Sequence, residues 1–536
     1  MIGRPIIIFA KAKMMISCPT GLIQKRKRFH KSKTKKENST MKKLSRTLCV
    51  ILAFLMLFSA VAALSSCKKK GKPEEDVTTK KEEETTDKTL AALEVKNFGD
   101  KEFKMLWPDY LANEGHFLHN ELGIETDNPS DIIDHAVYTR NAAVEATYKA
   151  SIYVETQKYS TIKTTVREEH AVRDSSYSAI ATVIAQMSPL AVEGILTDFN
   201  DLAYYDETQQ WWNHKVMQSL SVANKRYYGS GDIIYSDDLY PYVVYANTAL
   251  AADLQINESF YDLVKEKEWT LDKLHELAVL AVADLDGVDG LTEGDRFGMV
   301  DGTSFARALY YTAGKGVISL DAEGYPTWEM TVDHADSVLT KIIRALHTDN
   351  ALVDAGTKFN MKTANEIMNL FNTGKMLFMP GDLKAAQAFT TMENALQDFA
   401  LLPMPLWTED SEYICVMNDA VVLSVPVEVK DKDDVSLLLS AMSRESVNTL
   451  TPAFFETVLT YRYMTNPESV ELLQLILNSV MPRDVADIQK WGNFMETFSK
   501  YAIDGTTDFS SYYQENIGTA RAEMDNYISQ LEDIGD

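Results

Sequence analysis

From Leu90 to Asp536 the chain alternates strand-like and helix-like segments with no low-complexity break. That alternation restricts the fold to layered α/β or α+β arrangements. Lys101–Trp107 (KEFKMLW) alternates like a strand and runs into Pro108-Asp109-Tyr110. Asp134–Lys149 follows, with Val137, Ala142, Val144 and Tyr148 near helical spacing. Ser151–Val154 reads as a second strand, Asp174–Tyr177 as a polar turn, and Ile180–Met187 as an apolar helix. Strand–helix–strand order with polar turns at the strand ends is how open sheets expose an edge to a ligand.

What precedes this body has a different character. Met41 begins a stretch with Lys42, Lys43 and Arg46 ahead of a 17-residue apolar run, Leu48–Leu64. That run is short of the roughly 20 residues of a spanning helix and has the layout of a secretory signal. Residues 1–40, with the basic block Lys25–Lys36, then read as an upstream extension of the start, and 41–66 as the signal. Leu64-Ser65-Ser66-Cys67 resembles the bacterial lipobox, in which the cysteine is lipidated. Residues 67–89 hold that cysteine and a tether, KKKGKPEEDVTTKKEEETTDK, whose one large apolar residue is Val77. Such a composition buries too little surface to fold. The expectation is a protein anchored by lipid at Cys67 to the outer face of the cytoplasmic membrane, at the cell surface.

Composition narrows the partners. The whole chain carries a formal charge of −25. Residues 1–66 hold 14 Lys/Arg and one acid, so the part from Cys67 has 39 basic and 77 acidic residues, a charge of −38. A surplus of that sign argues against nucleic acid, whose binding rests on neutralising phosphates. Only Cys67 and Cys415 remain after residue 66, which leaves no structural disulfide. A folded part of this size builds two or more lobes.

The stretch Gly231–Asn247 (GDIIYSDDLYPYVVYAN) concentrates the chemistry. Asp232–Tyr235 reads as a short strand and Pro241–Tyr245 as a second, with Asp237, Asp238 and a tyrosine-dense loop between them. Aromatic faces beside fixed carboxylates suit sugars, whose C–H faces stack and whose hydroxyls donate. No Gly-x-Ser-x-Gly elbow and no phosphate-binding Gly-x-x-x-x-Gly-Lys-Ser/Thr loop occurs. Paired carboxylates are plentiful, which keeps glycoside hydrolysis or lysis as an alternative.

Several segments in one order resemble the extracellular solute-binding proteins of sugar-type ABC importers, the family 1 group that includes maltose-binding protein. They are Val137–Ile152, Leu196–Ile233, Val243–Leu254, Phe260–Ala278, Phe371–Asp382, Phe399–Tyr413 and the tail after Pro426. The resemblance spans roughly Val95 to Asp536. It implies an α/β, two-lobed periplasmic-binding-protein-like fold of type II, with a ligand cleft between lobes joined by hinge crossings. Lobe 1 would hold 95–240 with 418–455, and lobe 2 would hold 241–417 with 456–536. It also implies a monomeric non-enzyme that takes a carbohydrate, an oligosaccharide first, and passes it to an ABC permease. A ligand-sensing subunit for a membrane kinase is a further alternative on the same fold. Position at strand ends and side-chain type nominate Trp107, Tyr110, Tyr177, Tyr235, Tyr242, Asp382 and Trp407 for the cleft. Asp284, Asp286 and Asp295 in DLDGVDGLTEGD stand at positions one, three and twelve of a calcium-type loop. Val288 and Asp289 depart from that pattern at five and six, so calcium is a secondary expectation and no other cofactor is implied.

Overall fold

A computed structural model of the chain describes residues 90–534 except 110–119, 125–128, 130, 302, 355, 357–363, 387–398 and 456–466. The signal, Cys67, the tether and Tyr110 lie outside the described residues.

Two sheets organise the body. The first takes β1 (Lys101–Asp109), β2 (Ala150–Lys158), β3 (Ala179–Val183) and β12 (Val421–Ser424), in the order β12-β3-β1-β2. β1 runs parallel to β2 and β3, and β12 closes the edge antiparallel to β3. The second sheet has the order β10-β4-β9-β5-β8, from β4 (Tyr242–Asn247), β5 (Phe297–Asp301), β8 (Leu352–Asp354), β9 (Met376–Asp382) and β10 (Phe399–Pro403). There β5 is parallel to β8 and β9, while β4 is antiparallel to β9 and β10. A small parallel pair, β11 (Cys415–Met417) with β13 (Val480–Pro482), and a hairpin of β6 (Ile318–Leu320) and β7 (Pro326–Trp328) complete the strands named here.

The strands form where the side chains suit burial on both faces. Every residue of β3 (AIATV) and of β4 (YVVYAN) is buried, as expected for central strands covered by helices. The helices α1 (Ile132–Tyr148), α2 (Tyr159–Ala171), α3 (Ile184–Val192), α4 (Leu271–Ala281), α5 (Thr303–Thr312) and α6 (Val332–His347) supply that cover. α4 matches its sequence pattern: the Thr270 side chain caps it by accepting from the Lys273 N–H at 3.1 Å, and Leu271, Leu274 and Leu277 form the buried stripe. α6 repeats the device, with Thr331 as cap and Ala335, Val338, Leu339 and Ile342 facing inward. Beyond β12 come α7 (Lys432–Ser446), α8 (Pro467–Asn478), α9 (Val485–Ile488), α10 (Phe494–Asp504) and α11 (Phe509–Asp533). α11 reaches back to the first lobe, where Ile534 beyond its end packs over Gly194.

Two sequence expectations are corrected. Ile180–Met187 is not one helix: Ala179–Val183 is the strand β3, and α3 starts only at Ile184. Periodicity cannot separate a short apolar strand from a buried helix, and here the pairing of Ile180–Val183 with β12 decides. Asp232–Tyr235 is likewise no strand. It is a turn folded on an isolated bridge from Gly231 to Ile234, followed by a short 3-10 turn at Ser236–Leu239.

Gly231 shows why the turn needs glycine. Its φ of +144° lies where side chains rarely go, and a Cβ would stand 2.2 Å from the Trp211 carbonyl oxygen. Gly231→Ala should therefore lower stability by about 2 kcal/mol or more, read as a lower urea midpoint at unchanged slope.

Candidate functional site

The chain passes between the lobes beside itself. Leu239–Tyr242 leads out of the first lobe into β4, and Asn418–Val421 leads from β11 back into β12. Backbone bonds stitch the two crossings: the Asn418 N–H donates to the Tyr240 carbonyl (3.1 Å), and Pro241 bridges Met417. The loop after β9 joins them through Leu383 N–H to Pro241 O (2.9 Å) and Lys384 N–H to Leu239 O (2.8 Å). The Tyr245 hydroxyl pins the same loop by donating toward the Asp382 and Leu383 carbonyls, both at 3.0 Å.

Strand register then delivers charged side chains to this junction. Asp382 ends β9 opposite Tyr242. Asn418 and Asp419 follow β11, and because Met417 pairs with Pro482, Arg483 emerges next to them at the end of β13. From the first lobe, the Ile184 N–H donates to Ala420 O (2.9 Å) and the Ala185 N–H to the Asp419 carboxylate, which places the start of α3 against the crossing. Lys384 lies 3.3 Å from Asp382 and its ammonium sits 4.2 Å from the centre of the Tyr240 ring, a cation–π arrangement. On the other side Arg483 is 3.8 Å from Asp487, which also accepts from the Tyr311 hydroxyl (3.1 Å) and lies 3.7 Å from Arg307.

Acids and bases are interleaved here, yet not all are satisfied. Oδ1 of Asp382 and of Asp419 and Nε of Arg483 are buried without a hydrogen-bond partner in the protein. Burial pushes Asp419 up to about 6 against the pull of Arg483, the Ala185 N–H and Lys384. Burial raises Asp382 also, opposed by Lys384. Arg483 is lowered by burial but held above its ordinary value by Asp487, Asp419 and Asp484. Buried carboxylates with an open acceptor and a guanidinium with an open donor are suited to hydroxyl groups, which donate and accept at once.

A second acidic group lies in the first lobe, away from this junction. Glu121 is fully buried and accepts from the Tyr235 and Ser236 N–H groups (2.7 and 3.0 Å). Arg140, equally buried, donates to the carbonyls of Glu121, Leu122 and Ile233. Burial raises Glu121 to about 8, Asp237 to about 7 and Asp232 to about 6, and lowers Arg140 to about 9. Asp232, Asp237 and Asp238 line a cavity of about 210 Å³ with Trp211, Trp212 and Thr451.

The nominated residues are dispersed. Asp382 belongs to the junction, and Tyr242 lies opposite it in β4 with its side chain buried. Trp107 is 1% exposed in the core of the first sheet. Tyr177 is buried with its hydroxyl on Glu155 (3.0 Å) and Lys104 over its ring, and Tyr235 stacks on Phe454 with centroids 4.3 Å apart. Trp407 lies elsewhere on the second lobe, under Lys341 of α6 at 4.6 Å. Sequence reasoning missed Lys384, Asn418, Asp419 and Arg483. The available signal was the polar pair Asn418-Asp419 interrupting the apolar run Ile414–Val425.

Asp284, Asp286 and Asp295 do come together, with ligand atoms within 4.8 Å of one another. Their oxygens already accept the N–H groups of Gly287, Val288, Leu285 and Thr292, and Asp286 takes the Thr292 hydroxyl. The donor set suits a hard cation, while the loop also closes on itself through these bonds.

The raised carboxylates set a pH dependence. Each binds a proton in the folded state above its ordinary range of about 4, so its stabilising share is complete below that range. That share is lost as pH rises through 6, 7 and 8. The melting temperature should fall by several degrees from pH 5.5 to pH 8.5. Glu121→Gln should flatten the decline between pH 7 and 8.5, measured by calorimetry.

No protein-family model and no curated protein sequence matches the chain. In fold it is similar to the cyclic alpha-maltosyl-1,6-maltose binding protein of Arthrobacter globiformis, with TM-score 0.53 and 13% identity over 81% of this chain and 98% of that one. It is similar also to an extracellular solute-binding protein of Staphylococcus aureus in complex with maltose (0.51, 11%, 81% and 98%). A third is UspC of M. tuberculosis (0.51, 14%, 78% and 99%). Identities this low establish the fold: two α/β lobes with a cleft at the hinge.

Proposed function

We propose that this two-lobed chain is a family 1 extracellular solute-binding protein that captures a carbohydrate, an oligosaccharide in the first instance, and delivers it to an ABC transporter permease by hinge closure. The observation that carries this is the junction itself. Asp382, Asp419 and Arg483 reach the hinge from three strand ends, and each has a buried polar atom without a partner in the protein. A ligand rich in hydroxyls fits such alternating acceptors and donors. Two of the similar folds are named for maltosyl or maltose ligands, which supports the same class.

A ligand that touches both lobes favours the closed state by its differential affinity, and the permease would recognise closure. Anchoring by a lipid on Cys67 would hold the protein, as a monomer, beside that permease at the outer face of the membrane. Among the described residues no helix is long and apolar enough to cross a membrane. The protein in this reading performs no chemistry on its ligand. A calcium ion on Asp284, Asp286 and Asp295 would have a structural role in the second lobe, away from the hinge.

Thermal unfolding of the chain from Lys68 onward, against a panel of mono- and oligosaccharides, tests this. A ligand at about 100 times its dissociation constant should add about 2.7 kcal/mol and raise the melting temperature by a few degrees. The sugar should be recovered unchanged. Recovered cleavage products would favour the hydrolase alternative, and no shift with any sugar would remove carbohydrate as the ligand class.

A further inference from the structure

We propose that Asp419 guards the hinge against closing empty: its buried carboxylate, with one oxygen unpaired where the two lobes meet, penalises the closed arrangement until a ligand hydroxyl donates to that oxygen. The part of this that concerns the ligand rests on the carbohydrate reading above; the part that concerns the hinge does not.

The argument begins with place. Asp419 lies on the return crossing, two residues beyond Met417, which bridges the outgoing crossing at Pro241. The groups that face it come from every element packed there. α3 of the first lobe presents the Ala185 N–H. The end of β9 and its loop present Asp382 and Lys384, and the end of β13 presents Arg483. Behind Arg483 stand Asp484, Asp487 and Tyr311. A carboxylate shared between an N–H of one lobe and a guanidinium of the other is sensitive to how those lobes sit.

The second step concerns satisfaction. A buried charged oxygen left without a donor costs far more than the same oxygen in water. Oδ1 of Asp419 is in that condition, and the guanidinium Nε across from it is also without a hydrogen-bond partner. Two complementary groups that fail to meet each other leave a place for something that can bond to both. A hydroxyl can, because it donates to the carboxylate and accepts from the N–H. Opening the junction instead returns the carboxylate to water, so the empty protein relieves the penalty by opening and the loaded protein relieves it through the ligand.

Protonation is a third route. Burial pushes this carboxyl up to about 6, against about 4 for an aspartate in water. The closed junction therefore binds a proton more tightly than the open one. The closed fraction of the empty protein is then highest near pH 4 and falls as pH rises to about 6, by roughly a hundredfold in the closed-to-open ratio. Asp382 and Asp484, both raised by burial, add to the same trend, Asp484 up to about 7. Only the part attributable to Asp419 is removed by Asp419→Asn.

The test follows the distance between the lobes in the full chain without ligand. Spin labels carried on non-canonical residues at exposed Val172 in the first lobe and Leu280 in the second leave the native cysteines untouched. Pulsed dipolar spectroscopy should show the short-distance population shrinking from pH 4.5 to pH 7.5 in the wild type. Asp419→Asn should lose the change below pH 6. A wild-type distribution indifferent to pH overturns the proposal, and so does an Asp419→Asn series that tracks the wild type. Should the variant not fold, the wild-type series alone decides. A saccharide that raises the melting temperature should restore the short distance at pH 7.5 in the wild type; one that binds and leaves the long distance in place overturns the ligand half. If no saccharide binds, the carbohydrate reading falls while the ligand-free series still judges the hinge.

Discussion

The architecture depends on the backbone bonds that tie the two crossings together. Tyr240, Pro241, Leu383, Lys384 and Asn418 share carbonyls and N–H groups across three separate parts of the chain. Because these bonds use main-chain atoms, they fix position without regard to side-chain identity, and so free the side chains for other work. Asp382, Lys384 and Asp419 project from backbone that is already held. A site on pinned backbone keeps its geometry better than one on a free loop, while the lobes it joins retain freedom to rotate.

The second consequence is electrostatic. A chain with a large acidic excess places several of its acids in the interior, in two groups with different solutions. In the first lobe Glu121 and Asp237 are supported by backbone N–H groups and a serine, and Arg140 spends its donors on carbonyls. At the junction, acids and cations alternate: Asp382 with Lys384, Asp487 with Arg483 and Arg307. The first arrangement suits a stable core, since protonated carboxyls carry little desolvation penalty near neutral pH. The second leaves open valences in the region where the fold places its cleft, and this is the more useful pattern for recognition.

The aromatic nominations show where sequence reasoning about the site ran short. Trp107, Tyr177 and Tyr235 stand near strand ends or in loops, as expected, yet their rings are buried among Phe454, Lys104 and the first core. Side-chain type and distance from a strand end cannot say which way a ring faces, because alternate residues of a strand point to opposite sides. Asp382 was legible because a strand and a turn precede it. Asp419 and Arg483 were not, since they lie 64 residues apart in sequence and meet only through the parallel pairing of β11 with β13.

The sequence by itself determined the layered α/β class, the strand character of Tyr242–Asn247 and Met376–Asp382, and the capped helix after Thr270. These follow from local periodicity, burial pattern and cap chemistry. It did not determine whether Ala179–Val183 was strand or helix, nor which charges share the hinge. Those were decided by strand register: pairing with β12 made Ile180–Val183 extended, and pairing of Met417 with Pro482 set Arg483 beside Asp419. Register is a property of two segments and the space between them, and it is specified only when the chain has closed on itself.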